Sequence, residues 1–279
     1  MENWDYVYCY PNSSVLKNKF GITDETLLSQ AERQISAIAI DKLEEQHIKG
    51  NLDLKHLQAI HKYIFSDIYD WAGKLRTVNI FKGCMFYRFD YLDSACATVF
   101  DKLKSENYLL DLSQTEMCKR LAYYLGEINV LHPFREGNGR TQRVFMEYLA
   151  RVGGYDVDFS TVNSKEMINA SILAYNCDYT AMEQMFSRII SPISFIEQEK
   201  FVYAISKRNS PVLKTFNDTQ YSYCVLTPSQ VKTLEKKGLY FKTKKKNEGT
   251  LIAQFSKKDK SMVEATLNSV LDKNKNLRR

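Results

Sequence analysis

Glycine and proline are scarce in this chain, at eleven and five of 279 residues. So few turn-formers argue against a turn-rich β architecture and for helix. No stretch approaches the roughly 20 consecutive apolar residues that a bilayer-spanning helix needs, so no membrane role is expected. The opening Met1-Glu2-Asn3-Trp4-Asp5-Tyr6 does not read as a secretory signal. Six cysteines (9, 84, 96, 118, 177 and 224) form no Cys-x-x-Cys pair and show no metal-ligand spacing. A reducing cytoplasm fits that usage, with the cysteines as small buried hydrophobes. Delivery into another cell by a secretion machine is compatible with it too. Internal repeats and low-complexity tracts are absent.

What the chain does have is length for a sizeable core, in one large domain or two. Aromatics are plentiful, with 18 Tyr and 15 Phe. The net charge of +6 is uneven: residues 231–279 hold 14 Lys/Arg against 5 Asp/Glu, or +9, which leaves about −3 for the rest. A basic end on a near-neutral body suits either a plain solvated surface or an acidic partner such as nucleic acid.

The apolar spacing predicts a mainly α chain. Residues 1–23 read as irregular and tyrosine-rich. A helix opening at Thr23 or Asp24 carries Leu27, Leu28, Ala31, Ile35, Ile38, Ala39 and Leu43, and Gly50 ends it. Asp53 caps a second, on which His56 and His61 lack partners at ligand spacing and read as structural or surface. Residues 76–89 change pattern, with two β-prone runs around Lys82-Gly83 that predict a short hairpin. Its edge could receive an added peptide strand. Helices follow over 91–107, from the capping box Ser113-Gln114-Thr115-Glu116, over 140–151, 164–176 and 179–192. The pattern thins over 206–220, read as a linker between a domain at 1–205 and a module at 221–279. In that module a strand from Tyr221, a helix capped by Thr227, two strands around Asn247-Glu248-Gly249 and a closing helix from Met262 to Leu271 suggest a small basic α+β unit, with Lys242, Lys244, Lys245 and Lys246 in its hairpin.

Most chemistry gathers in residues 131–143. His132 has an ordinary pKa near 6.5 and suits a base. Glu136 is a hard-metal ligand. Gly137-Asn138-Gly139 can bring backbone N–H groups close to an anion, at the start of a helix whose dipole favours phosphate. Arg140 and Arg143 sit three apart on one face. Base, carboxylate, anion nest and two cations point to work on a phosphate ester.

This window resembles the Fic family of nucleotidyl transferases, whose signature is His-x-Phe-x-Asp/Glu-Gly-Asn-Gly-Arg-x-x-Arg. Each fixed position is present, as His132, Phe134, Glu136, Gly137, Asn138, Gly139, Arg140 and Arg143. Ile60-His61, Phe65 and Asp67 to Gly73, followed by Arg76-Thr77, look like the family's lead-in to its flap hairpin, and the resemblance covers about residues 5–195. It implies a mainly helical Fic-type domain with a β-hairpin flap, and transfer of AMP from ATP to a Tyr, Thr or Ser hydroxyl of another protein. His132 would then be the general base, Glu136 the Mg²⁺ ligand, Gly137, Asn138 and Gly139 the phosphate cradle, and Arg140 the partner of the β- and γ-phosphates, supported by Arg143. Phe134 would be a core anchor. The flap hairpin 76–89 would dock the target protein, with Phe81, Lys82 and Gly83 near the nucleotide and Phe86 close to substrate. Transfer of another phosphate-containing group on the same scaffold is the enzymatic alternative. A conjugation-associated nucleic-acid-binding protein is the other, since the C-terminal module loosely resembles small domains encoded on conjugative elements. Many family members carry a restraining Ser/Thr-x-x-x-Glu-Gly/Asn helix. Here Lys237 stands where the segment from Thr233 needs glutamate, and Thr243 lies one residue too far from Glu248. The resemblance therefore implies inhibition, where it occurs, by a separate antitoxin-like chain.

Overall fold

A computed structural model describes residues 5–245 and 250–267. The expected turn at Asn247-Glu248-Gly249, Lys246 and the closing helix beyond residue 267 lie outside the described residues. The chain divides into two compact units between Leu213 and Lys214.

Helices dominate the first unit, and their starts are chemically marked. Asp24 caps α1 (Glu25–Leu43) by accepting the Leu27 N–H, and Asp53 caps α2 (Leu54–Phe65) through the His56 N–H, each at 2.8 Å. A two-stranded hairpin, β1 (Phe81–Lys82) and β2 (Cys84–Met85), precedes α3 (Leu92–Ser105). Ser113 and Glu116 form the full capping box of α4 (Gln114–Leu131), which α5 (Asn138–Val152) follows. Leu121, Ala122, Leu125, Phe145 and Leu149 are buried in the core around these two helices. Burying each large side chain there is worth about 1.5–3 kcal/mol.

Several elements differ from the reading of the sequence. The hairpin is shorter, pairing only Phe81 with Met85 and Lys82 with Cys84. The reason is Arg76, whose buried guanidinium donates to the carbonyls of Val78 (2.7 Å) and Tyr87 and so takes acceptors a longer ladder would need. The segment after α6 (Ser164–Tyr175) divides into α7 (Thr180–Ile189) and β4 (Ile190–Pro192). β4 pairs antiparallel with β3 (Tyr155–Val157), two three-residue strands too short for a period-2 signal. The helix α8 (Phe195–Ile205) buries Gln198 and Glu199 beside Phe201, Val202 and Ile205, and those polar residues blur its stripe. Over 206–220, read as a linker, Pro211–Gln220 is the helix α9, in which Val212 and Phe216 are buried. Leu27 and Ile38 of α1 are exposed rather than inward, while Ser36 is buried. Cys177 is exposed; Cys9, Cys96 and Cys118 are buried as expected. No described helix is long and apolar enough to cross a membrane.

In the second unit β5 (Tyr221–Leu226) precedes α10 (Pro228–Lys236), which Thr227 and Gln230 cap in a box. β6 (Phe241–Lys245) and β7 (Leu251–Ser256) complete an antiparallel sheet of order β5-β7-β6, and residues 260–267 are helical.

Candidate active site

The window 131–143 folds as helix, loop, helix. α4 ends at Leu131, and His132 takes a left-handed conformation (φ 46°, ψ 60°) that Pro133 prevents from continuing as helix. Buried Arg76 braces this end, donating Nε–H to the His132 carbonyl (2.8 Å) and Nη2–H to that of Leu131 (3.1 Å). A cation on the orphan carbonyls of a helix C-terminus is favourable on both dipole and hydrogen-bond grounds. Tyr87 N–H donates to the Val130 carbonyl (3.1 Å), tying the flap base to the same helix end.

The loop itself is stapled from inside. Asn138 Oδ1 accepts the Phe134 N–H (2.9 Å) and its Nδ2 donates to the Phe134 carbonyl (2.7 Å), so this side chain serves the loop while its backbone N–H stays available to an anion. Phe134 is fully buried and stacks on His61 at 3.9 Å. His61 Nδ1 accepts the Gly73 N–H (2.8 Å), so its proton sits on Nε2, which donates to the Glu136 carbonyl (2.9 Å). Gly137 (φ 79°) then turns into α5, and a Cβ there would lie 2.4 Å from the Phe65 ring. Only glycine meets both constraints. The N–H groups of Asn138, Gly139 and Arg140 find no hydrogen-bond partner among the described residues. They form the positive end of α5.

The His132 ring is buried and stacks on Phe86 at 3.8 Å and 10°. Burial, with the Lys82 ammonium next in weight, lowers its pKa to about 4; the Glu136 carboxylate opposes that only in part. The ring is therefore neutral near pH 7. Burial likewise holds His56 and His61 near 4. All three bind protons in the unfolded chain below about 6.5 but in the folded chain only near 4, so folding stability is full above 6.5 and is lost as pH falls through that window. Each ring contributes on the order of 3 kcal/mol at full titration. Melting temperature should drop between pH 6.5 and 4.5 at constant ionic strength; a flat profile would mean that the folded rings already carry charge there.

Glu136 lies on the loop, its Oε1 accepting the Gly137 N–H (2.9 Å) and its Oε2 3.4 Å from Lys82 Nζ. Burial pushes its pKa up, but Lys82 and that N–H outweigh it and hold the carboxyl below its usual value. An ionised, partly open carboxylate beside a phosphate-ready helix start fits Mg²⁺, which takes one or two protein carboxylates plus phosphate oxygens. Among the described residues no cluster of three His, Cys, Asp or Glu could hold a metal on its own, so phosphate oxygens and water would complete the shell. Lys82 already marks a place for a cation on Oε2.

Arg140 and Arg143 emerge from the first turns of α5. Arg140 Nη1 donates to Ser36 Oγ (2.8 Å), its Nη2 pairs with Glu32 Oε1, and its guanidinium lies 4.8 Å over Phe65. Tyr69 hydroxyl donates to the other Glu32 oxygen. Arg143 packs beside Gly139, and burial, with Arg140 second, lowers its pKa. At the flap tip Gly83 (φ 77°) makes the turn. Lys82 reaches the motif, and Phe81 is 71% exposed. Glu32, Ser36, the Tyr69 contact with Glu32 and the bracing role of Arg76 were not read from the sequence. Glu32 and Ser36 are an i, i+4 polar pair, the one signal that could have marked that face of α1.

Residues 51–150 match the Fic/DOC family. The chain is 35% identical over 186 residues to a probable protein adenylyltransferase Fic of Escherichia coli, covering 66% of this chain and 92% of that one. The chain belongs to the Fic/DOC family. It is also 36% identical over 202 residues to the protein adenylyltransferase VbhT of Bartonella schoenbuchensis, spanning 72% of this chain but only 42% of that protein's length. Among solved Fic structures, BepC of Bartonella tribocorum with bound AMPPNP aligns at a TM-score of 0.63 and 28% identity, over 67% of this chain and 97% of that one. A Bartonella quintana Fic domain with bound ADP aligns at 0.62 and 29%, over 67% and 95%. These matches span 66–72% of the chain.

Proposed function

We propose that this chain is a protein adenylyltransferase, moving AMP from ATP to a Ser, Thr or Tyr hydroxyl of a target protein. One observation carries the reading: a neutral histidine, an ionised carboxylate and three unpaired helix N–H groups converge on one loop. In the step proposed, His132 takes the proton of the target hydroxyl and the freed oxygen attacks the α-phosphorus. The bond from that phosphorus to the pyrophosphate oxygen breaks, and pyrophosphate leaves. The N–H groups of Asn138, Gly139 and Arg140 would hold phosphate oxygens, and the Arg140 guanidinium the β- and γ-phosphates. A Mg²⁺ held by Glu136 would supply charge neutralisation to those phosphates. Most of the rate would come from positioning and electrostatics.

The target segment would lie along the flap, whose outer residues Phe81 and Met85 are exposed while Phe86 supports His132 from behind. A separate inhibitory chain belongs to the same reading, and the exposed Leu27 and Ile38 of α1 offer it an apolar face.

The test uses ATP labelled on the α- or the γ-phosphate, incubated with the protein and a bacterial lysate. Label should pass to protein from the α-position alone. Transfer from the γ-position would mark a phosphotransferase instead, and excess unlabelled UTP that suppressed the signal more than ATP would mark a different nucleotide.

A further inference from the structure

A cluster of buried apolar residues in the second unit lies on one side of its sheet. Cys224 and Leu226 of β5, Leu251, Ala253 and Phe255 of β7, and Phe241 of β6 share a face. Val231 and Leu234 of α10, with Val263 and Leu267 of the helical residues 260–267, cover it. The alternation of side chains along a strand therefore sends the remaining residues to the opposite face. There the register lines up Tyr223, Gln254 and Lys242 in one row across the strands, and Val225, Ile252 and Lys244 in the next; the row before them, Tyr221 with Ser256, is buried, so the open part of the face is these two rows.

An open face of an antiparallel sheet is ordinarily polar. This one is divided. Tyr223 and Val225, 59% and 53% exposed, form an apolar rail along β5, and exposed Lys242 and Lys244 form a cationic rail along β6. One strand separates the rails, which puts them about 10 Å apart, and residues within a rail repeat at about 7 Å. The unit as a whole carries 15 Lys/Arg against 6 Asp/Glu over residues 214–279, or +9.

We propose that the open face of the β5-β7-β6 sheet binds single-stranded nucleic acid, with bases on Tyr223 and Val225 and phosphates on Lys242 and Lys244. A base and its own phosphate are separated by a distance of the order of the gap between the rails, and the phosphates of an extended strand repeat on the scale of the lysines. Every base presents a π-face to an aromatic platform, so recognition is sequence-tolerant. A duplex keeps those faces inside its stack. An acidic peptide would satisfy the lysines but would leave the apolar rail without a purpose. This function is separate from AMP transfer and does not depend on it.

The full chain is titrated into a fluorescein-labelled 20-nucleotide oligo-dT, with anisotropy read at 50 and 200 mM KCl. Binding is expected at the lower salt and weakens at the higher. Tyr223→Ala should weaken it about fivefold or more, and Tyr223→Phe should restore it, because stacking needs only the ring. Lys242→Gln with Lys244→Gln should reduce the slope of log affinity against log salt by about 1.4, at roughly 0.7 for each phosphate no longer neutralised. Lys232→Gln with Lys236→Gln, on exposed α10, should change affinity less than twofold. Thermal melts of all variants check that each is folded. Four results would each overturn the proposal: no binding at 50 mM KCl, no effect of Tyr223→Ala, an equal loss from the α10 pair, or equal affinity for duplex. Displacement of the oligonucleotide by polyglutamate at equal charge would assign the face to an acidic peptide instead.

Discussion

Alanine at position 132 should reduce transfer of α-phosphate label by about 10²–10⁴-fold, the usual contribution of a positioned general base. The structure says why so little else should change. The His132 side chain makes few contacts that hold the fold: its ring lies on Phe86, while the hydrogen bonds that fix this helix end come from backbone atoms and Arg76. Alanine does carry one structural cost, because residue 132 sits at φ 46°, a left-handed conformation that histidine and asparagine adopt several-fold more readily than alanine does. Asparagine removes that objection, since it adopts the left-handed region readily and its amide does not take up a proton at neutral pH. His132→Asn should therefore match alanine in lost activity while melting closer to the parent. The two measurements separate chemistry from folding. An asparagine variant retaining more than a tenth of the parental rate would remove His132 from the role of base.

What the sequence made legible follows a physical division. The loop from His132 to Arg143 is a set of neighbours in the chain, so its chemistry could be read without knowing how the chain folds. The same holds for the caps at Asp53, Ser113 and Thr227, where the hydrogen bond spans three residues. Arg76 is different. It was visible as part of a motif-like lead-in, yet its work, closing the end of α4, depends on a packing that brings it to residues 55 and 56 positions away. That packing also shortened the hairpin. Polar residues directed inward, such as Gln198 and Glu199 on α8, hide a helix from any reading based on apolar spacing, because burial and hydropathy part company there. Short pairings such as β3 with β4 have too few residues to show a period at all.

Glu32 is the strongest case of a residue hidden by distance, 108 positions from Arg140, and it sets the second large effect. On the proposed mechanism Arg140→Ala should weaken ATP binding about 10–100-fold, since each hydrogen bond to a charged group is worth roughly 1.5–3 kcal/mol. AMP, which lacks the β- and γ-phosphates, should bind within about twofold of its parental affinity. Glu32 bears on that grip in one of two ways. A guanidinium has five N–H donors, and Glu32 and Ser36 take one each from different terminal nitrogens. Three donors, including Nε–H, remain for phosphate, so the contact with α1 is compatible with an arginine already aimed at its ligand. As an orienting contact, Glu32→Ala should lower ATP affinity and spare AMP, with Glu32→Gln intermediate because its amide oxygen still accepts from Nη2. As a competing anion, Glu32→Ala should instead tighten ATP binding. The geometry favours orientation: Tyr69 fixes Glu32 from the opposite side, and Phe65 supports the guanidinium from beneath, so neither partner is placed to swing away cheaply. Calorimetric titration of both nucleotides into Arg140→Ala, Glu32→Ala and Glu32→Gln distinguishes the outcomes. Arg140→Ala comes first among them, because equal losses for ATP and AMP there would show that Arg140 does not hold the outer phosphates, whatever Glu32 does.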